Sequence, residues 1–171
     1  LDHDSPDFVI GDGLWAGRTL HDLYDEAHTP WNWHAALFQR AAELGITIFS
    51  SPFDDTAVDF LENLDVPAYK IASFELLDLS LVERVAKTFK PMIMSSGMAS
   101  EEEIGEALEV AKSAGSGEVV LLHCVSGYPT PASEANLNMI STLAERFSVP
   151  IGLSDHTEGT VVAAASVALG A

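Results

Sequence analysis

The chain is poor in cysteine, in basic residues and in long apolar stretches, and each shortage excludes a class of protein. Its single cysteine, Cys124, excludes a disulfide within the chain and fits a cytoplasmic location. Only 8 Lys and Arg accompany 26 Asp and Glu, and the formal net charge of -18 opposes binding to nucleic acid or to an anionic membrane. No apolar run approaches the roughly 20 residues that span a bilayer, and the first residues do not resemble a signal peptide. We therefore expect a cytoplasmic protein without nucleic acid or membrane partners.

Apolar runs alternate with amphipathic segments along most of the 171 residues. Nearly continuous apolar strands separated by amphipathic helices predict an α/β fold with a parallel sheet covered by helices. A doubly wound sheet and a (β/α)8 TIM barrel both have this pattern, and the absence of a G-x-G-x-x-G motif after any predicted strand favours the barrel. The predicted strands are 46–50, 68–73, 91–94, 119–124 and 151–153, and the approximate helices are 29–44, 55–64, 79–89, 100–115, 134–147 and 160–169.

The number of predicted strands is too small for a whole barrel. Eight βα units usually take about 250 residues, whereas this chain has 171 residues and about five predicted strands. We therefore expect an incomplete TIM barrel, with residues 29–171 as the central part of a barrel domain in a larger protein. Residues 1–28 are rich in Asp and Gly and are expected to form an irregular lead-in. Within it, residues 8–10 suggest a short strand or hairpin and residues 20–27 suggest a helix of one or two turns.

Lys70 lies inside a predicted strand, whereas the other basic residues fall in loops or in or beside predicted helices. A lysine in a short apolar strand loses hydration, so it requires either a partner anion or a lowered pKa. The alternative is that its stem alone is buried and its ammonium reaches the strand end. Because no other predicted strand of this acidic chain contains a cation, we favour Lys70 as a ligand-binding charge.

Polar side chains follow each predicted strand at its carboxyl end, where the loops of parallel α/β folds converge on ligands. His156 stands beside Asp155, which suits either metal binding or acid-base chemistry. Residues 95–97 (SSG) precede a predicted helix start and could bind a phosphate. His123 and Cys124 are interpreted at least equally well as core residues. The polar residues at these ends are Ser50, Ser51, Lys70, Ser73, Glu75, Ser95, Ser96, His123, Ser126, Ser154, Asp155 and His156.

Four segments resemble, in order and spacing, the sialic acid synthase family. They are residues 69–75 (YKIASFE), 91–98 (PMIMSSGM), 122–131 (LHCVSGYPTP) and 152–157 (GLSDHT). The resemblance implies a TIM-barrel enzyme that condenses phosphoenolpyruvate with an amino-sugar aldehyde, forming a nine-carbon sugar acid and releasing phosphate. Residues 13–34 look most similar to the pseudaminic acid synthase branch, which implies 2,4-diacetamido-2,4,6-trideoxy-altrose as the acceptor sugar.

The resemblance also implies roles for individual residues. Lys70 and Ser73 would hold phosphoenolpyruvate, and Glu75 would contact the sugar carbonyl. His156 would bind a divalent metal, Mn or Mg. Ser126 stands where some members of the family carry asparagine. The implied catalytic residues are Lys70 and Glu75, the substrate-binding residues are Ser73, Ser95, Ser126, Tyr128 and Ser154, and the metal ligand is His156.

Other parts of the family's catalytic machinery have no counterpart in this sequence. These are the first, second and last barrel strands and a C-terminal antifreeze-like domain, which in the family reaches the site of a partner in a homodimer. We therefore expect these 171 residues alone to be inactive. Three alternatives stay open: an N-acetylneuraminate or legionaminic acid synthase, a class I aldolase that forms a Schiff base through Lys70, and a non-catalytic protein that binds sugar phosphates.

Overall fold

The computed structural model describes residues 5–171, which divide into two compact units. One unit ends at Ile46 and the other begins at Thr47. The first four residues of the predicted lead-in, 1–4, lie outside the described residues. Within residues 5–171, no helix combines the length and the apolar character needed to cross a membrane.

The first unit contains a 3-10 turn, Pro6–Phe8, and two helices, α1 (Leu20–Ala27) and α2 (Trp31–Leu44). The helix of one or two turns expected at 20–27 is present as α1, and the side chain of Thr19 caps it by accepting a hydrogen bond from the Asp22 N–H. The strand expected at 8–10 is reduced to one antiparallel bridge between Val9 and Thr19.

The helix predicted at about 29–44 begins slightly later, at Trp31. Pro30 is its capping residue, with an extended ψ of 135°. Its carbonyl accepts a hydrogen bond from the Trp33 N–H at 3.0 Å, so the first turn begins there. The helix ends as predicted at Gly45, whose φ of 67° places it in the left-handed region that glycine adopts without strain.

The second unit contains a parallel four-stranded sheet in which each strand pairs with the next one in sequence. This sequential order, without the reversal that marks a doubly wound sheet, is the order of a barrel wall. The strands are β1 (Tyr69–Ile71), β2 (Met92–Ser95), β3 (Val119–Cys124) and β4 (Ile151–Ser154), and the helices are α3 (Asp55–Asn63), α4 (Leu79–Ala86), α5 (Glu101–Ala114), α6 (Asn138–Arg146) and α7 (Val161–Ala168).

Four of the five predicted strands are confirmed, and the fifth, at 46–50, is reduced to a single bridge. Ser50 pairs with Tyr69 in parallel, and the Lys70 N–H donates to the Ser50 carbonyl at 3.2 Å. One pair of residues does not make a ladder, so this segment approaches β1 without being a strand.

Two predicted helices are shorter than expected because residues near their ends have a positive φ. Phe89, with φ of 60°, lies in the segment predicted to close α4, which ends at Ala86. Asn136, with φ of 44°, separates a 3-10 turn, Ala132–Glu134, from α6 and so divides the helix predicted at 134–147. Asparagine tolerates the left-handed region better than most residues, whereas an α-helix cannot continue through it.

The two faces of the sheet differ in burial. Ile71, Met94 and Leu121 occupy paired positions on one face and are fully buried. Side chains alternate across a strand, so Lys70 and Ser95 point to the opposite face. Cys124 and Ser154, which are paired in register, lie on that face as well. We call this second side the open face, because its apolar residues Ile93, Val120 and Leu122 are only partly buried.

Candidate active site

Lys70 lies in the middle of β1 on the open face, and its Nζ donates a hydrogen bond to Ser95 Oγ at 3.0 Å. Burial lowers the pKa of Lys70, while the nearby Cys124 and Glu75 oppose that shift in part. Within the described part of the chain, Lys70 forms no salt bridge, whereas Arg84, Lys90 and other cations of this unit pair with carboxylates. Its ammonium is therefore partly desolvated and hydrogen-bonded to a neutral hydroxyl, and it can bind an anion.

Glu75 begins the 3-10 turn that follows β1, Glu75–Leu77. Burial raises its pKa, and the charge of Lys70 opposes that shift only in part. Its Oε2 is buried and has no hydrogen-bond partner among the described residues. A buried oxygen without a partner is costly, so this carboxyl group is ready to accept a proton or to bond to a ligand.

The loops after β1, β2 and β3 meet at a pair of serines. The hydroxyls of Ser73 and Ser126 share a hydrogen bond at 3.0 Å, and Ser73 is only 5% exposed. Gly97, in the loop after β2, has a φ of 50°, and a Cβ added there would lie 2.2 Å from Ser73 Cβ and 3.2 Å from Ser126 Oγ. Only glycine leaves room for the pair, so Gly97 permits the close approach of the three loops.

We expect Gly97→Ala to disrupt this contact and to destabilise the fold. An alanine in the left-handed region costs about 1–2 kcal/mol, and the collision with Ser73 should add about 1–3 kcal/mol of overpacking to the loss of unfolding free energy. Gly170→Ala is the matched control, because Gly170 has a φ of 101° and a Cβ added there would meet open space. Urea unfolding measures both variants, and equal losses would contradict a special role for Gly97.

His156 follows β4 and is oriented by the loop after β3. Its Nδ1 lies 2.9 Å from the Val125 carbonyl oxygen, which can only accept, so Nδ1 carries the proton. In the neutral ring the lone pair is then on Nε2. The ring of Tyr128 lies against the imidazole, with centroids 4.3 Å apart and planes inclined by 37°.

The donor set fits His156 as one ligand of a metal rather than as a complete site. Neutral imidazole nitrogen is a common ligand for divalent metals, and the Nδ1 contact leaves Nε2 available. No group of three or more His, Cys, Asp or Glu side chains within residues 5–171 has the geometry to hold a metal ion. The neighbouring Asp155 uses Oδ1 to accept from the N–H and the hydroxyl of Thr157.

The helix start after residues 95–97 does not favour the phosphate that the sequence suggested there. Ser100 and Glu103 form a capping box, in which each side chain bonds to the other residue's backbone N–H. Glu101 and Glu102 add two more carboxylates to the first turn. Negative charge and used donors oppose an anion at this start, so Ser95 contributes to the site through Lys70 instead.

His123 and Cys124, which were interpreted from the sequence as possible core residues, are both buried in the structure. His123 Nε2 lies 2.8 Å from the Ala135 carbonyl, and the residue is 6% exposed, so it contacts a neighbour in the core. Cys124 is a free, buried thiol. Ser154 lies next to it in register, on the open face.

The comparisons with known proteins decide the family. A model of the NeuB family matches residues 2–171. The chain belongs to the NeuB family. The resemblance to sialic acid synthases seen in the sequence is thereby confirmed.

The chain is similar in sequence to two curated synthases with different products. It is 46% identical over 171 residues to a pseudaminic acid synthase of Campylobacter jejuni, covering 100% of this chain and 50% of that protein. It is 40% identical over 140 residues to an N,N'-diacetyllegionaminic acid synthase of the same species, covering 81% of this chain and 42% of that protein. The chain spans about half the length of the curated relatives it matches.

A solved structure confirms the fold class. The N-acetylneuraminic acid synthetase of Leptospira borgpetersenii, crystallised with citrate, superposes with a TM-score of 0.84 and 35% identity, covering 88% of this chain and 52% of that one. The NeuB chain described here therefore forms part of a (β/α)8 barrel, with four strands where about five were predicted.

Two features of the site were missed by sequence reasoning. Gly97 was recognised as part of a candidate phosphate-binding turn and of a family motif, but its close approach to Ser73 and Ser126 was not predicted. The Val125 carbonyl, which orients His156, is a backbone group that no residue type reveals.

Proposed function

We propose that the intact protein condenses phosphoenolpyruvate with an amino-sugar aldehyde to form a nine-carbon sugar acid with release of phosphate. We propose further that it is a pseudaminic acid synthase. The higher identity and fuller coverage of the pseudaminic acid synthase, compared with the legionaminic acid synthase, support this choice of acceptor. N-acetylneuraminate and legionaminic acid synthesis are the alternatives within the family.

The observation that carries the proposal is the ammonium of Lys70 bonded to the Ser95 hydroxyl on the open face. Phosphoenolpyruvate brings a carboxylate and a phosphate, and the chain's net charge of -18 repels both. A partly desolvated ammonium that is not paired with a described carboxylate offsets this repulsion locally. The hydroxyls of Ser73 and Ser126 lie at the neighbouring strand ends and would donate further hydrogen bonds to the anion.

Glu75 would act at the acceptor sugar. In the reaction, C3 of phosphoenolpyruvate bonds to the aldehyde carbon, water adds at C2, and phosphate leaves from the resulting tetrahedral carbon. Negative charge develops on the aldehyde oxygen as the new bond forms. Because burial raises the pKa of Glu75, its carboxyl group can hold a proton and donate it toward that oxygen.

His156 would hold a divalent metal through Nε2, together with ligands from outside the described residues. Mn or Mg bound there would supply Lewis-acid polarisation of the sugar carbonyl. Tyr128 packs on the same imidazole and would form one wall of the substrate pocket. Ser154 would contribute a hydroxyl from the end of β4.

We also propose that the protein acts in the cytoplasm as a homodimer. The buried free thiol of Cys124 supports a reducing compartment. The dimer follows from the architecture implied by the family resemblance.

A coupled phosphate-release assay on the intact protein tests the proposed function. With phosphoenolpyruvate and Mn²⁺ present, we expect phosphate release to require an amino sugar and to be fastest with 2,4-diacetamido-2,4,6-trideoxy-altrose. N-acetylmannosamine and the legionaminic acid precursor are the comparison acceptors. Release that is faster with either comparison sugar would reject the pseudaminic acid assignment, and covalent trapping of Lys70 by pyruvate and borohydride would support the aldolase instead.

A further inference from the structure

The loop that orients His156 is itself held by one hydroxyl. The Val125 carbonyl accepts from His156 Nδ1 at 2.9 Å, and Thr130 Oγ1 lies 3.2 Å from the same carbonyl oxygen. Thr130 Oγ1 also donates to the Gly127 carbonyl at 2.8 Å. The single hydroxyl proton is thus shared between two carbonyls of the loop, and it fixes the direction in which the Val125 carbonyl points.

Thr130 is also hydrogen-bonded to the backbone of His156. Its N–H donates to the His156 carbonyl at 2.9 Å, and Thr130 forms a parallel bridge with Thr157. Thr130 is 3% exposed, so these bonds are shielded from water. Both the ring and the main chain of His156 are therefore positioned through this one residue.

We propose that Thr130 is a positioning residue for His156. Its hydroxyl holds the Val125 carbonyl so that the imidazole keeps its proton on Nδ1 and presents Nε2 to a metal. The inference rests on the proposed function, in which Nε2 is a ligand of the divalent metal. Outer partners of a ligating histidine fix its tautomer and orientation, and their loss typically weakens metal binding about 10–100-fold.

Thr130→Val in the intact protein removes the hydroxyl and keeps the shape and the backbone N–H. We expect it to weaken Mn²⁺ binding, measured with Mn²⁺ alone, by about 10–100-fold. Thr130→Ser keeps the hydroxyl and is expected to bind Mn²⁺ as the wild type does. ¹⁵N NMR of the neutral imidazole, recorded without metal, should give the Nδ1–H form in the wild type and in Thr130→Ser, and a mixture of tautomers in Thr130→Val.

A double-variant cycle separates positioning from general damage to the loop. Added to His156→Ala, Thr130→Val is expected to leave the residual Mn²⁺ affinity unchanged, because its effect passes through the imidazole. A further loss of about 10-fold in that background would assign Thr130 a role outside the histidine and overturn the proposal. If Thr130→Val does not fold, Thr130→Ala removes the same hydroxyl without burying a second methyl group in its place.

These measurements distinguish the positioning role from the proposed function. Wild-type Mn²⁺ affinity and a pure Nδ1–H tautomer in Thr130→Val, in a protein that releases phosphate as expected, would reject the positioning role alone. Altered Mn²⁺ affinity and tautomer in Thr130→Val, in a protein that releases no phosphate with any acceptor, would reject the proposed function and keep the positioning role.

Discussion

Lys70→Met is expected to lower kcat/KM for phosphoenolpyruvate by about 10³-fold, which corresponds to about 4 kcal/mol. Removing one partner of a buried, charge-assisted contact costs about 2–5 kcal/mol. Methionine keeps the length and the apolar stem of the side chain while removing its charge and its bond to Ser95. Steady-state phosphate release at varied phosphoenolpyruvate, together with calorimetric titration of phosphoenolpyruvate, measures the effect.

Thermal unfolding of Lys70→Met shows whether a loss of activity comes from the missing ligand contact or from unfolding of the protein. Burial lowers the pKa of Lys70 in the folded state, so the unfolded chain binds this proton more tightly. The charged lysine thus costs folded-state stability at pH values below its lowered pKa, and Lys70→Met should unfold at the wild-type temperature or higher. Lys112→Met, on the exposed side of α5, is the matched variant and should keep full activity. Undiminished phosphoenolpyruvate binding in Lys70→Met would contradict the proposed function.

Glu75→Gln is expected to lower kcat by about 10²–10⁴-fold, the range that general acid-base groups supply, while phosphoenolpyruvate still binds. Glutamine has nearly the same shape, but it cannot transfer a proton to the aldehyde oxygen. The buried Oε2 has no partner among the described residues that would explain it structurally. Glu106→Gln, on the exposed side of α5, is the control. A Glu75→Gln enzyme with the wild-type kcat would remove Glu75 from the chemistry.

The pH dependence of the unfolding free energy tests whether the pKa of Glu75 is raised in the folded state. Because burial raises its pKa above the ordinary value of 4.5, the folded state holds the proton more tightly than the unfolded chain. The stabilisation from the protonated form is fully present below pH 4.5 and is lost as the pH rises through the folded-state pKa. Relative to Glu75→Gln, the wild type should therefore lose stability as the pH rises through this range. A difference in unfolding free energy that does not vary with pH would contradict the raised pKa.

Local features of the fold were predictable from the sequence because they depend on neighbouring residues. The helix predicted at about 100–115 is present, because its capping box at Ser100 and Glu103 and its terminal glycine, Gly115, depend only on residues of that one helix. Four apolar strands were also placed correctly, since the strands of parallel sheets are typically nearly continuous apolar runs. Lys70 stood out for the same reason, as a charge inside such a run.

The remaining features depend on contacts between distant segments. The strand predicted at 46–50 has the right composition, but a strand requires a partner backbone over several residues, and composition does not supply one. The close approach of Gly97 to Ser73 joins loops about two dozen positions apart, and the bond from His156 to the Val125 carbonyl spans 31 positions. Such pairings follow from the register of the sheet, which a single sequence does not encode in any one motif.

The division of the site between strands and loops has a consequence for how its specificity can diverge. Lys70 and Ser95 belong to strands, where a shift of one residue would turn both side chains to the other side of the sheet. Tyr128 and His156 follow strands and are held by a few loop hydrogen bonds. Under the proposed function, a new acceptor sugar would be accommodated by remodelling these loops, while Lys70, the cation proposed to bind phosphoenolpyruvate, stays fixed in its strand.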